Sequence, residues 1–399
     1  MFDMEARHII EALRSGIPSK TVGRCFSESR PQIVKKITDA MECVRNEGYS
    51  DGMIISGKYG EGKTHLLNMI FSMAGDDNMV VSFLSLSKET PMDKMYLIYQ
   101  KMIMNTYLPG RIQPGFSRLF EEMSPNSPVA NEMLAYAAKE LETDKLYYVL
   151  KAYLNTEDQE EKYQLMSDME GDFISNPVLK KIYRRIFGTP VKFNVNFKKT
   201  VHTMDYFRFM SHLFRQMGFD GWVMLLDEAE LIGRLGKKTR LKAYFNMAQF
   251  LMPDRSLEKV FSLFALSSSY IEDVIDGKHE YENLKEVYED AVEPAKTVLD
   301  RMVDATQLLP LKKEEIQQVL LSVQEFHGRA YDWQPNVTTE SVISATRAGG
   351  YLLRTQIRAA IEFFDQLYQY GKVGNTTINE LGKEVFEEDV VSLEEALEG

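Results

Sequence analysis

Cysteine is almost absent: Cys25 and Cys43 are the only two in 399 residues. One pair cannot staple a chain of this size, so stability must come from packed cores, and reduced thiols in a cytoplasm are the expectation. No apolar run approaches the ~18 residues needed to span a bilayer. The opening Met1-Phe2-Asp3-Met4-Glu5 lacks the basic-then-apolar order of a signal peptide. A cytoplasmic protein without a membrane segment is therefore expected. Basic charge is also in deficit: 47 Lys and Arg face 59 Asp and Glu, a formal net charge of −12. That excludes a coat of nucleic acid by global positive charge but leaves room for a local basic patch. The six histidines show no ligand spacing, so no structural metal is expected. Internal repeats and low-complexity linkers are missing too. With 44% hydrophobic and 27% charged residues, what remains is ordinary globular composition. Its length suits two or three domains, or one domain with large insertions.

Short apolar runs at 52–56, 79–86, 222–226 and 260–266 read as strands, and the mixing of apolar residues with serine in 79–86 suits a sheet covered on both faces. Amphipathic helices are expected at 5–13, 31–44, 65–73, 240–252, 312–328 and 339–371, and the stretch 90–218 is helical almost throughout. Strands alternating with helices at this spacing indicate an α/β fold with a parallel sheet. The chain divides into 1–89 (N-terminal helices and the first part of the sheet), 90–218 (a large helical insertion), 219–311 (the rest of the sheet) and 312–399 (a C-terminal helical lid with an acidic tail).

Residues Gly57-Lys58-Tyr59-Gly60-Glu61-Gly62-Lys63-Thr64 match G-x4-G-K-[ST], between an expected strand and an expected helix that opens at His65. Glycines let the backbone curl until successive N–H groups point at phosphate oxygens. Lys63 would neutralise the β and γ phosphates, Thr64 would offer a hydroxyl to Mg²⁺, and the following helix would point its positive end at the same anion. The run Trp222-Val223-Met224-Leu225-Leu226-Asp227-Glu228 ends an apolar strand in two carboxylates. Asp227 would hold Mg²⁺ through water and Glu228 would orient and deprotonate an attacking water, which favours ATP hydrolysis over binding alone.

Other positions carry two readings each. Ser267–Ser269 close the 260–266 strand, and Ser268 among them is either a polar sensor of the γ-phosphate or part of a solvated helix cap. Arg354 opens a late helix, where it would reach back to the γ-phosphate or stay on the surface. Arg301 is an arginine finger for a neighbouring subunit or a surface ion pair.

With these motifs in order, the chain resembles AAA+ P-loop ATPases. More specifically, Glu11 through Pro18, Gly57 through Leu67 and Trp222 through Glu230 resemble the BREX-system ATP-binding family, the smaller BrxD-like members in particular. The resemblance covers most of the chain, with little signature over 90–218. It implies a cytoplasmic prokaryotic ATPase of phage-defence islands, using ATP and Mg²⁺, assembling as a homo-oligomer and acting with helicase or methylation partners on DNA.

Residues 180–200 hold seven cations and no acid: Lys180, Lys181, Arg184, Arg185, Lys192, Lys198 and Lys199. Tyr183, Phe187, Phe193 and Phe197 are interleaved, as phosphate contacts with stacking rings would require. A second run, Arg234, Lys237, Lys238, Arg240 and Lys242, follows the acidic strand end. Both are candidate DNA surfaces; the other reading is a solvated basic face with its aromatics in the core. The end of the chain, 380–398, sets eight acids against one lysine: a solvated face, or a dock for a basic neighbour. The leading expectation is a Mg²⁺-dependent ATPase working on DNA. A nucleotide-gated scaffold with little turnover, or a loader of a protein partner, is the alternative.

Overall fold

The computed structural model describes residues 3–15, 30–111, 113–254, 256–288, 292–346 and 353–373. Six strands form one sheet: β1 (Asp51–Gly57), β2 (Val80–Ser85), β3 (Thr106–Tyr107), β4 (Trp222–Asp227), β5 (Val260–Ser267) and β6 (Thr306–Gln307). They lie in the order β3-β2-β4-β5-β1-β6, and every neighbouring pair is parallel except β2–β3. The four longer strands are those expected from sequence. The two-residue edges β3 and β6 are too short to carry a period. Thr106 earns its place instead through a buried polar set, its hydroxyl 2.6 Å from Ser82 Oγ, which accepts from Trp222 Nε1 at 2.8 Å.

Alternation along the strands feeds two cores. Trp222, Met224, Leu226, Phe264 and Ile54 face the larger one, built with the helices between β2 and β4. Val223, Leu225, Leu263, Ala265 and Ile55 face the smaller one, under the helices Pro31–Glu47 and Lys63–Asp76. The first of those two helices shows why it forms. Proline stands at its first position, Val34, Ile37, Met41 and Val44 make the buried stripe, and Gly48 ends it in the left-handed region with its N–H on the Val44 carbonyl.

A third cluster joins the C-terminal helices Lys313–Tyr331, Thr339–Thr346 and Leu353–Tyr370. The sequence suggested one helix over 339–371; the described residues on either side, Thr339–Thr346 and Leu353–Tyr370, are helical, and residues 347–352 lie outside those described. The division at 1–89 also differs in one place. The helix Met4–Ser15 packs on the C-terminal cluster through Ala6, Ile9 and Ile10 rather than on the sheet. The sheet face nearest in sequence is already covered by the next two helices, and Arg14–Asp365 (2.8 Å) and Arg329–Asp3 (2.6 Å) fix the docking. The acidic stretch 380–398 lies outside the described residues. Among those described, no helix is long and apolar enough to cross a membrane.

Candidate functional site

Parallel strands bring their carboxyl ends to one edge, and the chemistry gathers there. Register pairs Gly57 at the end of β1 with Ser267 at the end of β5, and Ser85 of β2 with Asp227 of β4. Between β1 and the helix Lys63–Asp76 the chain curls through Gly60 (φ 80°) and Gly62 (φ 92°), the left-handed conformations a phosphate loop needs and other side chains resist. The curl is braced from within. Lys63 Nζ, almost buried, donates to the carbonyls of Gly57 (2.9 Å) and Lys58 (3.4 Å), and the Lys58 amide donates to Glu61 Oε2 (2.8 Å). Tyr59 is half-buried on the same loop. His65, in the first turn of the helix, has its imidazole pKa held down to about 4 by burial and by the Arg30 guanidinium nearby.

Opposite the loop, Thr64 Oγ1 donates to Asp227 Oδ2 at 2.5 Å, bridging residues 163 positions apart. Asp227 is 3% exposed, and its other oxygen accepts the Glu228 amide at 3.0 Å. Burial raises its pKa; the bonds from Thr64 and the Glu228 amide and the charge of Lys63 work against that rise. A hydroxyl and a carboxylate meeting beside a phosphate loop are the hard oxygen donors a Mg²⁺ ion takes, so the residues present fit that ion.

Glu228 leaves the strand in the left-handed region (φ 60°, ψ 33°) and starts the short turn Ala229–Arg234. For a residue with a Cβ this conformation costs on the order of 1–3 kcal/mol, a strain that persists where the surroundings impose it. One imposing contact is Glu230, 1% exposed, whose Oε2 accepts the Ser267 amide at 3.1 Å and ties the acidic turn to β5. Sequence reasoning gave Glu230 no role; its only signal was its place two residues beyond Glu228. Ser268 follows directly, its amide on the Gly57 carbonyl at 3.2 Å, so the serine turn abuts the loop.

The remaining candidates divide. Leu353, at the start of the last described helix, lies over the loop: its Cδ2 is 3.5 Å from where a Cβ on Gly62 would stand. The Arg354 side chain lies outside the described residues. Arg301 sits at the other end of β1. Its Nη1 donates to the carbonyls of Gly52 (3.0 Å) and Leu251 (2.8 Å) and lies 3.9 Å from Asp51, so within this chain the guanidinium joins β1, the helix Lys237–Leu251 and its own helix Glu293–Val303.

The basic segments are also corrected in part. On the helix Asn176–Phe187, Lys180, Lys181 and Arg184 face solvent, whereas Arg185 is paired with Glu161 and bonded to Thr156 Oγ1. The interleaved rings pack within the chain, Tyr183 buried and the others half-buried: Tyr183 lies 4.4 Å from Phe187, and Phe193 and Phe197 pack on Tyr148 and Phe173. In the second run Lys238 is exposed, Lys237 pairs with Glu286, and Arg240 is buried against Glu280 at 2.8 Å.

A glycine loop between a parallel strand and a helix, facing an acidic strand end across its own threonine, defines a P-loop nucleotide-binding α/β protein. The chain belongs to the family of the BREX system ATP-binding protein BrxC/D, which matches residues 3–122 and 130–377. ATP binding through the P-loop goes with that membership. Among solved structures it is similar to Cdc6p from Pyrobaculum aerophilum, at 11% identity over 86% of this chain with a TM-score of 0.39. The aligned region spans 63% of that structure's chain. A Walker-type ATPase of Pyrococcus abyssi is similar at 13% identity, 86% and 68% coverage, and a TM-score of 0.37. At scores this low neither likeness bears on what the chain does. No curated protein sequence matches it.

Proposed function

We propose that the protein is a Mg²⁺-dependent ATP hydrolase whose turnover drives DNA-directed work in a BREX system. The observation that carries this reading is the Thr64–Asp227 contact, with a second carboxylate, Glu228, next in the chain. Thr64 and Asp227 would hold Mg²⁺, which when bound supplies charge neutralisation across the β and γ phosphates. Lys63 and the loop amides bind and orient the phosphate chain. Glu228, swung out of the strand by its left-handed backbone, orients water and takes its proton. Ser268 and Arg354 complete the γ-phosphate end as sensors, and Lys180, Lys181 and Arg184 form the DNA-facing patch.

Replacing Glu228 by Gln keeps the shape and removes the base. Turnover should fall by about 10²–10⁴-fold while ATP binding stays within a few-fold. Steady-state phosphate release and equilibrium ATP binding, each with and without DNA, measure the two. Wild-type turnover no higher than that of the variant under every condition sinks the hydrolase reading and leaves a nucleotide-gated scaffold.

A further inference from the structure

The helical insertion presents cations that no carboxylate answers. On the helix Asn176–Phe187, Lys180, Lys181 and Arg184 point to solvent, opposite the buried Leu179, Ile182 and Tyr183. The stretch that follows is fastened beside this helix. Asn176 Nδ2 donates to Asn196 Oδ1 at 2.6 Å, the Asn194 amide donates to Asp144 Oδ2 at 3.0 Å, and Lys180 Nζ lies 5.3 Å from the centre of the Phe193 ring. Lys192 stands exposed next to that ring. Arg185 has Glu161, but among the described residues Lys180, Lys181, Arg184 and Lys192 have no ion pair. Apolar surface lies between them: Val178 and Val195 are 37% and 39% exposed. The result is a face of cations and valines. Such a concentration of one sign attracts a polyanion.

The chain carries a segment of the complementary kind. Residues 380–398 hold eight acids and one lysine, interspersed with Val385, Phe386, Val390, Val391, Leu393 and Leu397. A nucleic-acid backbone would answer the cations and leave the valines uncovered; a peptide of acids and apolar residues answers both. Reach does not limit the contact. Beyond Val373, the last described residue, 26 residues remain. Fully extended they would span at most about 90 Å, against a radius of gyration of about 21 Å for a globule of this length. The tether makes the encounter intramolecular, which suffices to hold surface ion pairs that are weak one by one.

We propose that the acidic segment 380–398 docks on this face of its own chain, with its carboxylates on the unpaired cations and its apolar residues against Val178 and Val195. The dock does not need DNA. Its consequence, that DNA must displace the segment, rests on the reading of this face as the DNA surface.

Zero-length carbodiimide cross-linking of the full chain tests the dock, because it joins only a carboxylate and an amine already in contact. An equal mixture of ordinary and ¹⁵N-labelled protein separates links within one chain from links between copies. Mass spectrometry should find residues 387–398 linked to Lys180, Lys181 or Lys192 within single chains, with the links lost as salt approaches ~1 M. Arg184→Glu leaves those lysines reactive and should lower the yield about three-fold or more. The absence of links, links that favour other lysines, links mainly between copies, or a yield that Arg184→Glu leaves unchanged each overturn the proposal. DNA titration separates this from the reading it rests on. Glu387→Gln, Glu388→Gln, Asp389→Asn, Glu394→Gln and Glu395→Gln, combined in the full chain, should tighten DNA binding about ten-fold at low salt, with the gap closing as salt rises. Cross-links with no gain in DNA binding keep the dock and remove the DNA reading of this face. A gain without cross-links reduces the acids to long-range repulsion and overturns the dock.

Discussion

The helices Asn176–Phe187 and Lys237–Leu251 each carry a cluster of cations, and they use them in opposite ways. The first buries Leu179, Ile182 and Tyr183 along one stripe and leaves Lys180, Lys181 and Arg184 in water. The second is packed on several sides, burying Leu241, Tyr244, Met247 and Leu251, and takes Arg240 inside with them, 2% exposed against a fully buried Glu280. Cation number is therefore a poor guide to a polyanion surface. What decides is whether the helix has a free face. Charge on a one-sided helix stays available to a ligand, and charge on an enclosed helix must find an internal partner or not be there.

The contrast is strongest in stability. Arg240→Ala or Glu280→Ala should cost about 3–5 kcal/mol, because each strands the other charge in the core. The double replacement Arg240→Met with Glu280→Leu should recover most of that loss. Denaturant titration of the three variants reads this directly, and a single-variant loss under ~1 kcal/mol would break the distinction. Next in size, changing Lys180, Lys181 and Arg184 together to Glu should lower DNA affinity at least about ten-fold. The slope of log affinity against log salt should fall by about 3, with the melting midpoint unmoved. An unchanged slope removes the surface. The smallest effect is expected for Lys237→Ala, whose ammonium is committed to Glu286: DNA affinity should hold within about two-fold in the same titration. A loss equal to that of the triple variant would return the second helix to the DNA face.

Residue patterns made the four long strands, the glycine loop and the acidic strand end legible because each is a local signal. An apolar run, two glycines at fixed spacing and two consecutive carboxylates can be read within eight residues. The helices of the 90–218 segment were legible for the same reason. What the pattern could not hold is pairing at a distance. Nothing near Arg30 points to Glu61, nothing near Arg240 points to Glu280, and Arg301 finds its carbonyls at Gly52 and Leu251, 249 and 50 residues away. The basic, aromatic-rich 180–200 stretch shows the same limit from the other side, since its rings found partners in neighbouring helices. The serine triplet needed the strand register before Ser268 could be set beside Gly57.

The docking of Met4–Ser15 onto the C-terminal helices has a consequence in time. Its partners begin at residue 313, about 300 residues later. At typical synthesis rates of about 5–20 residues per second, the stripe of Ala6, Ile9 and Ile10 waits roughly 15–60 s on the ribosome before anything can cover it. Long-range contacts of this kind close late and slowly. The sheet and its loop can assemble while that helix is still exposed, and the layer holding Leu353 over Gly62 is completed last. Nascent chains should therefore meet chaperones first at their amino-terminal helix.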